Sequence, residues 1–138
     1  MSNPASKNPI DKIAWVHIEN KTLLTTRSRG KDVCYIPGGK REKGESDRQT
    51  LLREIKEELS VDLKIETVGY LGTFHAQAHG HPEGVMVKMA CYTGDYEGTL
   101  KPASEIEEFR WVTRKDRFDC APVDQVIMDW LLDREMID

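Results

Sequence analysis

The stretch Gly38–Val61 reads GGKREKGESDRQTLLREIKEELSV, and its spacing decides the fold. A glycine pair opens it, a polar loop follows, and the pattern predicts a helix from about Ser46 to Leu59. At about 100° per residue, Leu51, Leu52, Ile55 and Leu59 share one arc of that helix. Glu54, Glu57 and Glu58 share another, because residues three and four apart are neighbours on a helix surface. Arg53 flanks the acidic arc beside Glu57. One face therefore packs into a core while another gathers three carboxylates. Like charges at this spacing repel. A hard divalent cation removes that cost, since Mg²⁺ takes oxygen ligands and is commonly shared between carboxylates and substrate phosphates. Without one, the helix would be a solvated acidic face relieved by Arg53 and Lys56.

The string follows the pattern G-x5-E-x7-R-E-U-x-E-E-x-G-U, where U is a bulky aliphatic residue. It is met at Gly39, Glu45, Arg53, Glu54, Ile55, Glu57, Glu58 and Val61. This resembles the signature box of the Nudix hydrolase superfamily, in its MutT-like form. At ordinary residue usage the fixed positions match by chance roughly once in 10⁷ starts. One position departs: Ser60 stands where the pattern has glycine. A glycine there would supply a left-handed helix cap, which serine can adopt at a cost of about 1 kcal/mol. The departure touches how the helix ends and leaves the acids alone.

At 138 residues the chain is long enough for one domain, 1–138, with a single core. The net charge of −4 argues against a general nucleic-acid-binding surface, which would be basic. No apolar run approaches the ~20 residues of a membrane span. The first residues, MSNPASKNPIDK, carry no apolar signal core, so the expectation is a cytoplasmic protein. Cys34, Cys91 and Cys120 are odd in number without CxxC spacing, and read as reduced thiols.

Residues 1 to 9 are rich in Pro, Ser and Asn and read as a loose end. Ile13–Ile18 and Thr22–Ser28 read as a hairpin of two strands, and Cys34–Ile36 as a short third. Leu63–Phe74 reads as a long strand bent at Gly69 and Gly72, and Val85–Tyr92 as its returning partner. Between them lie His75, His79 and His81, either a loop over a cleft or a transition-metal site of their own. Phe109–Val112 is a further strand. Pro122 opens a last helix, about Val123 to Asp133, with Val126, Ile127, Trp130 and Leu131 as its expected core side. Asp124, in its first turn, suits the helix dipole.

The resemblance implies more than the residues do by themselves. It implies an α/β (α+β) fold, the Nudix α/β/α sandwich, with a mixed β-sheet between the box helix and the C-terminal helix. It implies hydrolysis of a phosphoanhydride in a nucleoside diphosphate linked to another group, with Mg²⁺ (or Mn²⁺) as cofactor and a small nucleotide as substrate. Glu54, Glu57 and Glu58, with the Gly38 carbonyl, would hold the metal. Arg53 and Glu45 would form a supporting pair beside Gly39, and Glu57 or Glu105 would take the proton from water, with Glu107 and Glu108 as rivals to Glu105. Arg27 and Lys40 would reach phosphate, Tyr35 the base side, and Asp124 a purine edge. The proline typical of adenosine-diphosphoribose hydrolases and the tyrosine typical of diadenosine polyphosphate enzymes are missing near Ala76–His79. A (deoxy)nucleoside triphosphate or oxidised purine triphosphate is therefore the first expectation, ahead of a nucleotide sugar or dinucleoside polyphosphate. A homodimer is compatible with the resemblance. Two other classes stay open: a nucleotide-sensing module without turnover, and an interaction protein that docks through its acidic helix.

Overall fold

The alternation of side chains along the first strand divides the molecule in two. In the computed structural model, which describes residues 8–138, β1 (Ile10–Trp15) sends Ile13 and Trp15 into one hydrophobic core and Ala14 into another. Successive side chains on a strand face opposite sides, so a central strand with apolar residues on both must be covered twice. The two helices supply the covers. α1 (Asp47–Leu59) packs Leu51, Ile55 and Leu59 onto the Ile13/Trp15 side. α2 (Pro122–Asp133) packs Val123, Ile127, Met128 and Leu131 onto the Ala14 side.

The remaining strands, in chain order, are β2 (Ile18–Glu19), β3 (Thr22–Ser28), β4 (Gly38–Lys40), β5 (Asp62–Leu63), β6 (Gly69–Gln77), β7 (Met86–Thr93), β8 (Tyr96–Glu97) and β9 (Ile106–Val112). The main sheet runs β4-β1-β7-β6 and is mixed: β1 is parallel to β7, and the other pairs are antiparallel. A second sheet runs β2-β3-β9, and β5 pairs with β8. This is the expected layering of a mixed sheet between two helices. Among the described residues, no helix is long and apolar enough to cross a membrane.

Several local expectations change. The first strand starts three residues early and stops at Trp15, and His17 lies between β1 and β2. Cys34–Ile36 is no strand; Tyr35 makes one bridge to Thr26 and Cys34 one to Cys120, while the strand proper falls on the glycine pair. Leu63–Phe74 breaks into β5, a turn of 3₁₀ helix and β6, and the irregularity expected near the glycines appears as a register shift between Tyr70 and Gly72. His75 belongs to β6 rather than to the loop after it. Residues 1–7 of the loose end lie outside the described residues.

The core side of α2 is also rotated. Val126 is 41% exposed, whereas Val123 and Met128 are buried. The sequence pattern misleads here because Asp124 looks like a solvent-facing acid. In the fold it lies within the buried row, at 0% exposure.

The box helix begins and ends as its sequence directs. Ser46 caps the start: its hydroxyl accepts the Gln49 N–H, and the Gln49 side chain accepts the Ser46 N–H in return. At the other end Ser60 adopts φ 65°, ψ 19°, the left-handed conformation usually left to glycine. Its hydroxyl donates to the Lys101 carbonyl, a contact glycine could not make and one that offsets part of the backbone strain.

Candidate active site

Arg53 organises the acids of α1. Its Nε and Nη2 donate to the two oxygens of Glu45 at 2.7 and 2.8 Å, a two-pronged pair. Nη1 donates to Glu54 at 2.9 Å and reaches Glu57 at 3.5 Å, and Nη2 also holds the Lys40 carbonyl at 3.1 Å. One guanidinium thus ties the loop before the helix to the acids on it. Arg53, with the Glu42 N–H, holds the Glu45 carboxyl down at about 2. Arg41 supports the same loop from the far side, bridging Asp11 on β1 to Asp47 in the first turn of α1.

The three helix acids stand in different surroundings. Glu58 is buried, only 6% exposed, and accepts the Gly38 N–H at 3.2 Å. Burial, reinforced by the charge of Glu54, pushes its carboxyl up to about 8. Glu54 is raised too, again chiefly by burial, against the pull of Arg53. Glu57 lies at the rim, its side chain 52% exposed. The glycines of β4 make this closeness possible. A Cβ on Gly39 would overlap the Glu54 carboxyl, and one on Gly38 would overlap the Ile13 carbonyl oxygen. The backbone and the acids meet where any side chain would separate them.

Glu105 joins the cluster from a distant part of the chain. It lines a chamber of about 260 Å³ together with Glu58, Gly38 and Gly39, and its charge bears on both Glu54 and Glu58. Its rivals are engaged elsewhere: Glu107 and Glu108 pair with Arg27 at 2.8 and 3.2 Å. The same pairing removes Arg27 from the cleft. On β3, Thr26 and Ser28 face the chamber, so Arg27 between them faces away, opposite Glu108 in the β3–β9 register. The fold does not bring Arg27 to the site where a phosphate contact was expected.

A second chamber of about 210 Å³ adjoins the first, and Lys12, Tyr35 and Met89 line both. Lys40, Gln77, His79, His81 and the start of α2 close it. Tyr35 and His79 form an aromatic corner, ring centres 6.2 Å apart and steeply inclined. Tyr35 and Lys40 therefore both line the cleft, and so do two of the loop histidines. Asp124, next in the chain after the lining residue Val123, is itself fully buried and forms no part of the lining. Its Oδ1 accepts the Ile36 N–H at 3.3 Å, and its Oδ2 is buried without a hydrogen-bond partner. Burial pushes it up to about 7.

Sequence reasoning missed Lys12 and Met89. The one available signal was Lys12 itself, a charged residue inside the first strand on the face that otherwise reads Ile10, Ala14.

The donors suit a hard divalent cation. They are carboxylate oxygens, closely spaced, two of them raised by burial and mutual repulsion, which a bound cation would reverse. As they stand, no three His, Cys, Asp or Glu side chains among the described residues close around one point.

Comparison with known proteins agrees with this geometry. Residues 10–131 match the family profile described as NUDIX domain. The chain is 35% identical over 114 residues to the NAD-capped RNA hydrolase NudC of Vibrio atlanticus, covering 80% of this chain but only 39% of that protein. It is 30% identical over 122 residues to the CTP pyrophosphohydrolase of Escherichia coli, covering 84% of this chain and 85% of that one. Among solved structures, the Escherichia coli ORF135 protein superposes with a TM-score of 0.72 at 25% identity, covering 93% of this chain and 91% of that chain. With the box acids assembled on α1, the sheet held between two helices, and a family match spanning nearly every described element, the chain belongs to the Nudix hydrolase superfamily.

Proposed function

We propose that this protein hydrolyses a phosphoanhydride bond of a nucleoside triphosphate in the presence of Mg²⁺ or Mn²⁺, releasing a nucleoside monophosphate and pyrophosphate. The observation that carries this reading is the pair of joined chambers, one lined by Glu58 and Glu105 and the other by Tyr35 and His79. A base enters the aromatic chamber, and the phosphate chain runs from it toward the acids. The similarity to a CTP pyrophosphohydrolase along most of both chains supports a triphosphate substrate.

Glu54, Glu57 and Glu58, with the Gly38 carbonyl, are the residues to hold the cation. When bound, it neutralises charge on the phosphate oxygens and lowers the pKa of the attacking water. The rest of the work falls to the chain. Arg53 and Glu45 keep the acids in register. Glu57 or Glu105 accepts the proton from water as it attacks phosphorus. Tyr35 and His79 hold the base, Lys40 stands at the chamber mouth, and the unpartnered Oδ2 of Asp124 is the group to read a base edge.

The test is a product assay over nucleoside triphosphates, oxidised purine triphosphates, nucleotide sugars, dinucleoside polyphosphates and an NAD-capped RNA, each with and without Mg²⁺. Metal-dependent release of monophosphate and pyrophosphate from one triphosphate is the expected result. Cleavage confined to a linked diphosphate or a capped RNA would overturn the triphosphate assignment. No turnover of any substrate would turn the protein into a nucleotide sensor.

A further inference from the structure

Given the reaction proposed above, we infer that Lys12 is the residue that holds the substrate's phosphate chain where it passes from the base chamber to the acidic one. The position is unusual for a lysine. Lys12 sits on β1, a central strand hydrogen-bonded to β4 on one side and β7 on the other. Its side chain lies on the α2 face of the sheet, among Ile10 and Met89, and lines both chambers.

A half-buried ammonium in such a place ordinarily has a carboxylate partner. Among the described residues, Lys12 makes no ion pair or side-chain hydrogen bond. Its Nζ stands 5.8 Å from the centre of the Tyr35 ring, and its charge is felt by Glu58 on one side and Asp124 on the other. It is within electrostatic reach of two acids and bonded to neither. Three donors on a flexible stem, free at the junction of an aromatic chamber and an acidic one, suit the oxygens of a phosphate arriving between them. Of the two basic residues expected to reach phosphate, Arg27 faces away and is already paired. Lys40 lines only the base chamber, and Lys31 only the acidic one. Lys12 is the cation common to both.

Acting on phosphate rather than on the fold, Lys12 has a distinctive signature. Lys12→Met keeps the length and apolar stem of the side chain but removes the charge. With the best triphosphate substrate, kcat/KM should fall about 10- to 100-fold, mostly through a higher KM, as for one lost charge-assisted hydrogen bond. Lys12→Arg should recover most of that loss. The Mg²⁺ concentration for half-maximal rate should stay level or fall in Lys12→Met, because a cation has been removed from beside Glu58; a structural defect of the acid cluster would raise it. Unchanged kcat/KM in Lys12→Met, or a loss that Lys12→Arg does not recover while both variants keep the wild-type melting temperature, overturns the assignment. If Lys12→Met fails to fold, Lys12→Gln takes its place. If the wild type hydrolyses nothing, the reaction reading falls separately, and Lys12 is judged by equilibrium dialysis with Mg²⁺ present. Binding of a nucleoside triphosphate must then weaken about 10-fold in Lys12→Met while the matching nucleoside binds as before; equal triphosphate binding overturns it.

Discussion

Glu58→Gln should stabilise the metal-free protein at alkaline pH while destroying its response to Mg²⁺. Burial, and after it the charge of Glu54, raise the Glu58 carboxyl from the ordinary 4.5 to about 8, against the Gly38 N–H that it accepts, which pulls it down. A carboxyl raised in the folded state binds its proton more tightly there than when unfolded. Its contribution is therefore fully present below about pH 4.5 and is lost as pH rises toward 8. At about 1.4 kcal/mol per pH unit the full difference is about 5 kcal/mol. Relaxation and water entry return part of that, so about 2–5 kcal/mol is the expected loss between pH 5 and pH 9. The substituted glutamine keeps an oxygen to accept the Gly38 N–H and carries no charge at any pH, so the variant should lose far less over the same range. Urea unfolding in EDTA at pH 5, 7 and 9 measures this directly. Saturating Mg²⁺ should then stabilise the wild type, by about 2.7 kcal/mol at a hundred times its dissociation constant, and leave Glu58→Gln unmoved. Parallel pH dependence of the two proteins in EDTA would refute the claim that Glu58 holds a buried, displaceable proton. An equal Mg²⁺ response would refute its place among the ligands.

The other predictions concern single residues. Glu57→Gln should cut turnover about 100-fold and raise the Mg²⁺ needed for half-maximal rate, whereas Glu105→Gln should cut kcat about as much at an unchanged Mg²⁺ requirement; full turnover in Glu57→Gln would sink the metal site as drawn. Arg27→Gln should change kcat/KM by less than about twofold, because its guanidinium is spent on surface carboxylates outside the cleft; a larger loss in steady-state assays would put substrate on the outer face of β3. Asp124→Asn keeps an acceptor for the Ile36 N–H but changes the chemistry of the unpartnered oxygen. Ratios of kcat/KM across the four bases should shift by about 10-fold or more, and unchanged ratios would remove Asp124 from base recognition.

The parts of this protein whose geometry is local were legible in the chain alone. A helix places residues three and four apart on one face whatever surrounds it, so the grouping of Glu54, Glu57 and Glu58, the place of Arg53 beside them, the start at Ser46 and the left-handed turn at Ser60 could all be read from spacing. Long-range packing settled the rest. That Glu105 and not Glu107 or Glu108 lines the acidic chamber follows from long-range pairing: Glu105 stands just before β9 with its carbonyl accepting the Arg29 N–H, while the register of β9 against β3 sets Glu108 opposite an outward-turned Arg27. That Asp124 is buried follows from how α2 seats on the sheet, since a polar residue within an apolar row looks solvent-facing until the row is located. That Lys12 stands between two chambers follows from the pairing of β1 with β4 and β7, partners more than twenty residues away. A strand's side chains alternate with period two, so a one-residue slip in register sends every one of them to the other face, and it is the partner strands that settle the register.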